Sequence, residues 1–375
     1  MEITAENFYK KMGEFAVYDI RSDSEREYGF IPDSVKVSPE ELLSDPAKFV
    51  ANKDKNILIY CARGVFSVDL AEDLCNMGYK AYSLKGGYPA WLVYDIKSRK
   101  NEEVRESVEK SLQKKFRKEL TSKFLRAIRE YELIKDGDKI AVCISGGKDS
   151  MLMAKLFQEI LRYKKINFEV KFLVMDPGYN AANRKIIEDN AGMLGIPVNI
   201  FESDIFESVY TVEKSPCYLC ARMRRGYLYN FAKSLGCNKI ALGHHYDDVI
   251  ETILMGMLYG AQIQTMMPKL KSTNFEGMEL IRPMYFIRED DIKAWRDYNN
   301  LHFIQCACKF TDTCTTCNNG QNHSKRQEVK ELIRTLKKTN PEVEQCIFKS
   351  VENVNLDTVV AYKVKGKRSS FLDNY

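Results

Sequence analysis

The sequence has no long hydrophobic run. No apolar stretch approaches the roughly 18 residues that a membrane-crossing helix needs, so the chain predicts no membrane-spanning segment. The first residues, MEITAENFYKK, contain no basic region followed by an apolar stretch, and we expect no secretory signal peptide. Internal repeats and low-complexity tracts are absent as well. Together these absences predict a cytoplasmic protein built from ordinary globular domains.

Disulfide bonds are not expected either, although the chain contains 11 cysteines, because thiols stay reduced in the cytoplasm. The informative feature is how these cysteines are arranged. Cys61 stands at the end of a predicted strand. Four others stand apart in apolar or helical surroundings and are interpreted as buried small residues, namely Cys75, Cys143, Cys237 and Cys346. The remaining six form two clusters, Cys217 with Cys220, and Cys306 with Cys308, Cys314 and Cys317.

A length of 375 residues, of which 45% are hydrophobic and 29% charged, suits two or three domains with sizeable cores. Charge is distributed unevenly along the chain. Residues 1–100 contain 14 basic and 16 acidic side chains, whereas residues 101–375 contain 43 and 36. A polyanionic partner would therefore bind the second part of the chain, although a solvated surface rich in lysine explains the same excess.

Residues 1–97 alternate short strands and helices. The segments FAVYDI and NILIYC are predicted to be buried strands, and SVDLAEDLCNMGY is predicted to be a helix because Leu70, Leu74 and Met77 recur at helical spacing. The segment KAYSLKGGYPAW predicts a strand, a Gly-Gly turn and a short helix. This alternation predicts an α/β domain with a parallel sheet.

Residues 98–134 form a polar junction followed by a basic helix. Apolar residues recur there every four positions, and a spacing of four drifts by about 40° per step around an α-helix. We therefore expect the helix either to break near its start or to pack its two halves against different domains. The apolar residues are Val104, Val108, Leu112, Phe116, Leu120, Phe124 and Ile128. A solvated linker helix and an RNA-contacting helix both fit the basic residues, which are Lys114, Lys115, Arg117, Lys118, Lys123, Arg126 and Arg129.

Residues 135–320 again alternate strands and helices. Strands are predicted at KIAVCIS, FEVKFLVMD and KIALG, with helices such as SMLMAKLFQEILRY and NRKIIEDNAGMLG between them. This order predicts a doubly wound α/β domain with a parallel sheet. Residues 321–375 are predicted to form a basic helical extension that ends in an irregular KVKGKRSSFLDNY.

The segment SGGKDS joins a buried strand to a helix. Glycines there let the backbone approach an anion closely, and the start of a helix offers free N–H groups and a positive dipole. Lys148 adds charge, and the serine hydroxyls add donors. The segment does not match the Walker pattern G-x-x-x-x-G-K-[ST]. It predicts a phosphate-binding loop formed by Ser145, Gly146, Gly147, Lys148, Asp149 and Ser150.

A second polar segment, GHHYDDVIET, follows a later strand of the same domain. By composition alone, His244, His245, Asp247 and Asp248 could bind a metal ion. We favour the alternative in which the two carboxylates line the same pocket as the loop and cap the following helix. Acidic groups beside a triphosphate bind Mg²⁺ or handle protons.

These motifs carry a family resemblance. A strand followed by S-G-G-x-D-S resembles the PP-loop ATP pyrophosphatase superfamily, whose members split ATP and adenylate a carbonyl or carboxylate. With PCYLCARMRRG, GHHYDDVIET, MPKL, IRPM and a late cysteine in the same order, residues 110–365 resemble the tRNA 2-thiocytidine synthetase (TtcA) family. Related tRNA 2-thiouridine synthetases combine the same kinds of motif. The resemblance implies that a base oxygen attacks the α-phosphate of ATP and that sulfur then displaces AMP.

The resemblance also implies a role for individual residues. Asp149 would orient the loop or help to hold Mg²⁺. The residues implied to be catalytic in this domain are Asp247 and Asp248. Those implied to face RNA phosphates, unless they form a solvated helix face, are Arg222, Arg224 and Arg225. A 4Fe-4S cluster with one iron open to sulfide would be held by Cys217, Cys220 and Cys306. Related enzymes are commonly dimers, so a homodimer is open.

The third cysteine position departs from the family pattern that we expect, which is near P-C-x-x-C-G. The chain has QCAC there, and Cys308 could replace Cys306 as the ligand. A separate zinc site is also open, since C-x-x-C with a nearby Cys and His fits structural zinc. Its ligands would be Cys308, Cys314, Cys317 and His323. Thiols without a metal in a surface loop explain the same residues.

The first domain resembles rhodanese. The matching features are YDIRSDSEREYGFIPDSVKVSPEEL, a strand that ends in Cys61, and GGYPAW. In that family the loop after the cysteine surrounds its sulfur with backbone N–H groups, which stabilises a thiolate that carries a persulfide. Phe66 stands where an arginine is common and Phe30 where a histidine is common, which argues against small anionic donors such as thiosulfate. An inactive rhodanese fold used for docking is the alternative.

The fusion of the two domains predicts a sulfur relay. We expect Cys61 to accept sulfur as a persulfide from an upstream donor such as a cysteine desulfurase, and to pass it to the cluster or to the activated base.

Two other interpretations of the whole protein stay open. One keeps the ATP and cluster chemistry but acts on uridine or a free small molecule. The other is a non-catalytic iron–sulfur sensor that binds RNA, which would have no need for an ATP site.

Overall fold

The computed structural model describes residues 1–27, 29–50, 53–98, 101–163, 165–203, 205, 216–304 and 325–375. The side chains at positions 97, 101, 216–222 and 374 are not described. No helix in these ranges is both long enough and apolar enough to cross a membrane.

The first domain is built on a sheet of five parallel strands in the order β1-β5-β4-β2-β3. Its strands are β1 (Glu2–Ile3), β2 (Phe15–Asp19), β3 (Val35–Lys36), β4 (Asn56–Tyr60) and β5 (Lys80–Leu84). Its helices are α1 (Ala5–Lys10), α2 (Asp23–Arg26), α3 (Pro39–Ser44), α4 (Pro46–Phe49), α5 (Phe66–Asn76) and α6 (Gly87–Ser98). Strand β4 is a continuous apolar run because helices cover both faces of a parallel sheet, and Ile57 to Tyr60 are wholly buried. The predicted parallel α/β domain is confirmed.

The linker after this domain is not one straight helix. It consists of α7 (Asn101–Gln113), a π-helical turn (Arg117–Thr121) and α8 (Ser122–Glu130). At the break, Phe116 N–H donates to the Ser111 carbonyl at 2.8 Å, and the Thr121 hydroxyl donates to the Leu112 carbonyl at 2.9 Å. The expected break exists, but it lies in the middle of the segment instead of near its start.

The apolar residues of the linker all face one core. They are buried in the same hydrophobic cluster, from Val108 and Leu112 through to Phe124 and Ile128. The first of the two expected alternatives, a break, is therefore the one that is present, and it lets the stripe meet one core although a straight α-helix with this spacing would not. The wide π turn holds more residues than an α turn, so the chain rotates less per residue there, and this smaller rotation offsets part of the drift that a regular helix would accumulate.

The second domain is built on a six-stranded sheet in the order β10-β11-β9-β6-β7-β8, in which β10 alone runs antiparallel to its neighbour. The strands are β6 (Lys139–Ile144), β7 (Glu169–Asp176), β8 (Val198–Glu202), β9 (Lys239–Ala241), β10 (Lys269–Lys271) and β11 (Glu279–Ile281). The helices are α9 (Lys148–Tyr163), α10 (Ala181–Met193), α11 (Pro216–Ser234), α12 (Tyr246–Gly260) and α13 (Glu289–Tyr298). The predicted doubly wound domain is confirmed. Because the chain leaves β6 toward β7 and later returns to β9 on its other side, the order switches between β6 and β9, where such sheets bind ligands.

The C-terminal extension is helical at first and then forms a hairpin. Its elements are α14 (Lys325–Thr339), α15 (Val343–Ser350), β12 (Ala361–Val364) and β13 (Lys367–Ser370). The prediction of an irregular end was wrong, because Lys365 and Gly366 both have positive φ, 49° and 82°. That pair of conformations matches the twist of antiparallel strands in a two-residue hairpin.

One isolated cysteine does not fit its prediction. Cys346 is exposed, whereas Cys143 and Cys237 are buried and Cys75 is half-buried. On α15 the buried residues are Glu344 and Phe348, which lie four positions apart on one helix face. Position 346 falls between them and therefore on the opposite face.

The two domains share a hydrophobic core. One cluster of buried side chains includes Phe8 and Trp91 of the first domain together with Phe157 and Trp295 of the second. His302 lies at this interface, with its Nδ1 3.4 Å from the Tyr88 hydroxyl and its ring 5.2 Å from that of Trp91. The first domain is thus packed onto the second through apolar and polar contacts.

Candidate functional site

The loop after β6 is held in one shape by its own residues. Gly146 has φ +85°, and a Cβ there would lie 2.6 Å from Ile187 and 2.7 Å from Ile304, so only glycine fits. The Ser150 hydroxyl accepts from Ser145 N–H at 3.1 Å and donates to the Gly147 carbonyl at 3.0 Å. The loop therefore reaches the start of α9 as a turn held by the buried Ser150, while Ser145 is exposed.

A cavity of about 530 Å³ opens beside this loop, at the switch between β6 and β9. This volume is typical of small-molecule sites. Polar residues from five separate parts of the chain line the cavity: Ser145, Asp149, Ser150, Tyr179, Arg224, Arg225, His244, Asp248 and Arg282. The structure thus brings together three of the six predicted loop residues, one of the two predicted carboxylates and two of the three predicted arginines.

Arg282 is a site residue that the sequence interpretation missed. It belongs to the IRPM segment, which was noted as a motif without a role. Its side chain is buried, and burial lowers the pKa of its guanidinium to about 10. Its Nε has no hydrogen-bond partner among the described residues. A buried guanidinium at a cavity is a strong donor for an anion, so Arg224, Arg225 and Arg282 give the cavity a basic wall.

Lys148 points elsewhere. Its ammonium lies 3.1 Å from Glu289 and 3.2 Å from Asp149, and it is not among the residues that line the cavity. In the described residues the lysine thus neutralises buried carboxylates next to the loop instead of facing the cavity directly.

The structure also separates Asp247 from Asp248. Asp248 lines the cavity, and its carboxylate accepts from His245 N–H at 3.1 Å, which caps α12 as predicted. Asp247 instead lies in a smaller cleft, where it accepts from Arg288 at 3.0 Å and from Glu289 N–H at 2.7 Å. The prediction that both carboxylates line one pocket was wrong, because adjacent helical positions point about 100° apart.

The charge state of the cavity follows from its surroundings. Burial raises the pKa of Asp248, but His245 and Arg326 lower it by more, so the net shift is downward. Burial lowers the pKa of His244 to about 4. At neutral pH the cavity therefore holds an ionised carboxylate and a neutral imidazole beside the arginines. Within the described ranges, no three His, Cys, Asp or Glu side chains come together as a metal site.

The cysteine clusters lie largely outside the described side chains. Cys217 and Cys220 fall in the first turn of α11, which begins at Pro216, so the prediction that they precede this helix was wrong. A proline is favoured at that first position because its missing N–H is not needed there. The side chains of Cys217, Cys220 and Arg222 are not described, and Cys306, Cys308, Cys314, Cys317 and His323 lie outside the described residues. The cluster and the zinc site stay predictions.

Cys61 sits in a narrow turn after β4. Its sulfur accepts from Gly64 N–H at 3.1 Å and lies 3.3 Å from the Ser67 hydroxyl. Burial raises the pKa of the thiol, but hydrogen bonds from Ser67 and from backbone N–H groups lower it by more, so the net shift is downward. A Cβ at Gly64 would lie 2.7 Å from the backbone of Gly86 and Gly87, so the turn is tightly packed. This geometry favours a thiolate.

The rim of this turn carries both apolar and charged side chains, because the exposed Arg63 precedes Val65 and Phe66. Val65 and Phe66 are 64% and 78% exposed, and Phe30 is 42% exposed. Phe30 packs under the guanidinium of Arg26, 4.2 Å from its ring centre. The two positions noted in the sequence therefore both carry solvent-facing aromatic side chains in the same domain as the thiol.

Together the fold and the two sites define a two-domain protein of the PP-loop and rhodanese-like classes. The PP-loop domain family matches residues 110–312 and the rhodanese-like domain family matches residues 4–93. A tRNA-cytidine(32) 2-sulfurtransferase from Geotalea uraniireducens is 34% identical over 244 residues, which cover 64% of this chain and 93% of that protein. The enzyme of the same description from Aliivibrio fischeri strain MJ11 is 37% identical over 249 residues, 65% of this chain and 76% of its own.

The chain belongs to the tRNA-cytidine(32) 2-sulfurtransferase family of PP-loop proteins. Among solved structures, a U34-tRNA thiolase from Methanococcus maripaludis with its [4Fe-4S] cluster matches with a TM-score of 0.48 and 23% identity, over 66% of this chain and 83% of that one.

Proposed function

We propose that the protein is an ATP-dependent tRNA sulfurtransferase that converts a cytidine of tRNA to 2-thiocytidine. The observation that carries the proposal is the cavity at the β6/β9 switch, where the SGGKDS loop, Asp248 and three arginines surround one space. A triphosphate needs backbone N–H groups, hydroxyl donors and guanidinium groups, and a PP-loop tRNA sulfurtransferase needs ATP at this place.

The proposed reaction has two displacements. The O2 atom of the base attacks the α-phosphorus of ATP, a P–O bond forms, and pyrophosphate leaves. Hydrosulfide then attacks C2, a C–S bond forms, and AMP leaves with the former base oxygen. A thiol reductant would release this hydrosulfide from the Cys61 persulfide by attacking the Cys61 sulfur, which leaves a mixed disulfide that a second thiol reduces. Arg224, Arg225 and Arg282 would compensate the negative charge that develops on phosphate. Asp149 and Asp248, whose carboxylates both line the cavity, would hold Mg²⁺ on the triphosphate.

The position of Arg224 and Arg225 refines their predicted role. Both line the nucleotide cavity, which supports phosphate binding inside the cavity over a contact along an outer helix face. The side chain of Arg222 is not described, and its predicted contact with RNA stays a proposal.

The cluster proposal rests on the donor set. Cysteine thiolates are the usual ligands of iron–sulfur clusters. Cys217 and Cys220 are three positions apart on α11, a spacing that places both positions on one side of a helix. Cys217, Cys220 and Cys306 would hold the cluster, which supplies, when bound, an iron that can carry sulfide.

The sulfur relay through Cys61 is the second part of the proposal. The thiolate would attack the terminal sulfur of a donor persulfide, so that a new S–S bond forms at Cys61 and the donor thiolate leaves. The lowered pKa of Cys61 and the N–H groups around its sulfur support this role. The exposed side chains of Val65 and Phe66 offer an apolar contact to a protein donor of persulfide, such as a cysteine desulfurase.

The test is nucleoside mass spectrometry of tRNA from a strain that lacks the gene. Loss of 2-thiocytidine, and its return when the gene is restored, is the expected result. Loss of a 2-thiouridine instead would move the substrate to uridine. Anaerobic protein without visible iron–sulfur absorbance that still thiolates tRNA at full rate would contradict the cluster.

A Cys61→Ser variant tests the relay in the same strain. We expect thiolation in cells to fall when no sulfide is supplied, because the serine oxygen cannot carry a persulfide, and to recover when sulfide is added. Cys75→Ser in the same domain is the matched control and should thiolate as the unchanged protein does. Unchanged thiolation by Cys61→Ser without added sulfide would exclude the relay.

A further inference from the structure

An acidic wall lies behind the nucleotide cavity. Within the described residues it consists of carboxylates that are mostly removed from solvent, with side chains 16% exposed at Asp247 and Asp248, 15% at Glu289 and 3% at Glu251. Such a wall repels a nucleotide triphosphate unless cations compensate it, because charges in a partly buried site are weakly screened.

The PP-loop domain compensates this wall only in part. Arg288 lies 3.0 Å from Asp247, and Lys148 lies 3.1 Å from Glu289. For Asp248 and Glu251, the ion pairs to lysine or arginine in the described structure come from elsewhere in the chain.

The missing cations come from α14 in the C-terminal extension. Arg326 lies 3.4 Å from Asp248 and 3.2 Å from Glu251. Lys330, one helical turn further, lies 3.6 Å from Glu251 and 3.3 Å from Glu289. The two residues thus reach three of the four carboxylates of the wall.

The position of α14 is fixed by its apolar side. Val329 and Ile333 are 1% and 5% exposed and belong to the main hydrophobic core. Positions 326 and 330 each lie three residues before one of these apolar residues, so all four positions are neighbours on one side of the helix. The helix is therefore seated so that its cations meet the acidic wall, although it lies beyond residues 110–312, which the PP-loop domain family matches.

We propose that Arg326 and Lys330 are positioning residues of the nucleotide site, which compensate Asp248, Glu251 and Glu289 so that the cavity accepts a nucleoside triphosphate. This inference rests on the proposed function for the identity of the ligand. It assigns the C-terminal helix to the ATP site, whereas its basic composition alone suggests only a surface for RNA.

The test measures Mg·ATP affinity and tRNA affinity separately on the full-length protein. The variants are Arg326→Gln, Lys330→Gln and the double change, with Lys338→Gln as the matched control. Lys338 is on the same helix, is exposed, and is not among the residues that line the cleft beside the wall. We expect the double change to weaken Mg·ATP binding about tenfold or more, and the control to stay within about twofold of the unchanged protein. Affinity for tRNA should not change.

A rescue separates charge compensation from a merely structural role. Burial raises the pKa of Glu251 to about 7, although Lys330 and Arg326 act to lower it, so the rescue is measured at about pH 8.5, where Glu251 is mostly ionised. There Glu251→Gln removes the charge that Arg326 and Lys330 compensate while it keeps the size of the side chain. In the double-change background it should restore most of the Mg·ATP affinity, because coupled residues give non-additive effects. A lack of rescue, an unchanged affinity in the double change, or a loss of tRNA affinity in place of ATP affinity would each overturn the inference.

The outcomes distinguish this inference from the proposed function. Protein that binds Mg·ATP with the expected charge dependence but forms no thiolated nucleoside in tRNA would contradict the proposed function and leave the inference standing. If the protein thiolates tRNA but its Mg·ATP affinity is unchanged by the substitutions at Arg326 and Lys330, the proposed function stands and the inference is contradicted.

Discussion

At the scale of single residues, Cys61 shows how a buried thiol becomes reactive. Burial alone would raise its pKa and leave an inert thiol. The Ser67 hydroxyl is the largest of the groups that act in the opposite direction, and it is itself held by the Ser83 hydroxyl at 2.8 Å. Ser67, six positions along the chain, thus makes the largest contribution to lowering the pKa of the Cys61 thiol.

We predict that Ser67→Ala raises the pKa of Cys61. The thiolate is the reactive form, and its share at a given pH falls when the pKa rises. The pH profile of iodoacetamide alkylation at Cys61, followed by peptide mass spectrometry, should therefore move to higher pH. Ser44→Ala, an exposed position in the same domain, is the control. An unchanged profile in Ser67→Ala would show that the backbone donors suffice.

Gly146 gives a second prediction at this scale. In Gly146→Ala the new Cβ meets Ile187 and Ile304 in a backbone conformation that strains other residues, and we expect about 1–3 kcal/mol of destabilisation and loss of Mg·ATP binding. Gly192→Ala is the control, since nothing lies within 4 Å of its Cβ position and alanine should stabilise helix α10 by about 0.4–1 kcal/mol. Denaturant unfolding and equilibrium ATP binding measure both effects. A Gly146→Ala protein that binds ATP normally would contradict the account of the loop.

The residue scale also shows what the sequence could and could not predict. The SGGKDS loop and the Cys61 turn are local, so their chemistry follows from neighbouring residues and was predicted. The split between Asp247 and Asp248 has a local cause, since adjacent positions on α12 point about 100° apart, but Arg288, the partner of Asp247, is distant in sequence. The role of Arg282 in the cavity likewise depends on the end of β11 lying beside β9. Contacts between distant segments were therefore the part that sequence spacing did not reveal.

At the scale of elements, the linker shows how the spacing of apolar residues and the type of helical turn are related. The apolar spacing of four is incompatible with a straight α-helix against one core. The chain meets this pattern with a π turn between α7 and α8, and the repeat itself contained the signal for a break. What the repeat did not reveal was the position of the break, where the Phe116 N–H and the Thr121 hydroxyl donate to the freed carbonyls of Ser111 and Leu112.

We predict that deleting Lys118 from the π turn destabilises the protein strongly. The deletion removes one residue of rotation, so α8 turns by about 100° relative to α7. Phe124 and Ile128, at 0% and 5% exposure, would leave the core, at about 2–5 kcal/mol for each large side chain lost. Lys118→Ala keeps the register and should change stability little, since the side chain is exposed. Equal denaturation midpoints for the deletion and the substitution would contradict this explanation of the turn.

At the scale of the whole molecule, the two domains are joined by more than the linker. Trp91 and His302 are in contact across the interface, and Arg296 donates to the Glu27 carbonyl at 2.6 Å. The residues from Leu301 to Ile304 are buried and run from this interface to Gly146 of the nucleotide loop. A hinge at the polar junction near residues 98–111 would let Cys61 swing, whereas the shared core favours a docked first domain.

A docked first domain predicts that both domains unfold together. The chain has two tryptophans, one in each domain, and both are buried, with Trp91 1% and Trp295 0% exposed. Trp91→Ala leaves Trp295 as the single tryptophan reporter of the second domain while it removes about 3–5 kcal/mol of packing from the interface. We expect the fluorescence transition of Trp295 to move to lower denaturant and to coincide with the loss of helical circular dichroism. Phe30→Ala, at an exposed position of the first domain, should leave that transition where it is. If Trp91→Ala unfolds the first domain while the Trp295 transition stays unchanged, the domains are independent, and the sulfur carried by Cys61 can travel with a moving domain.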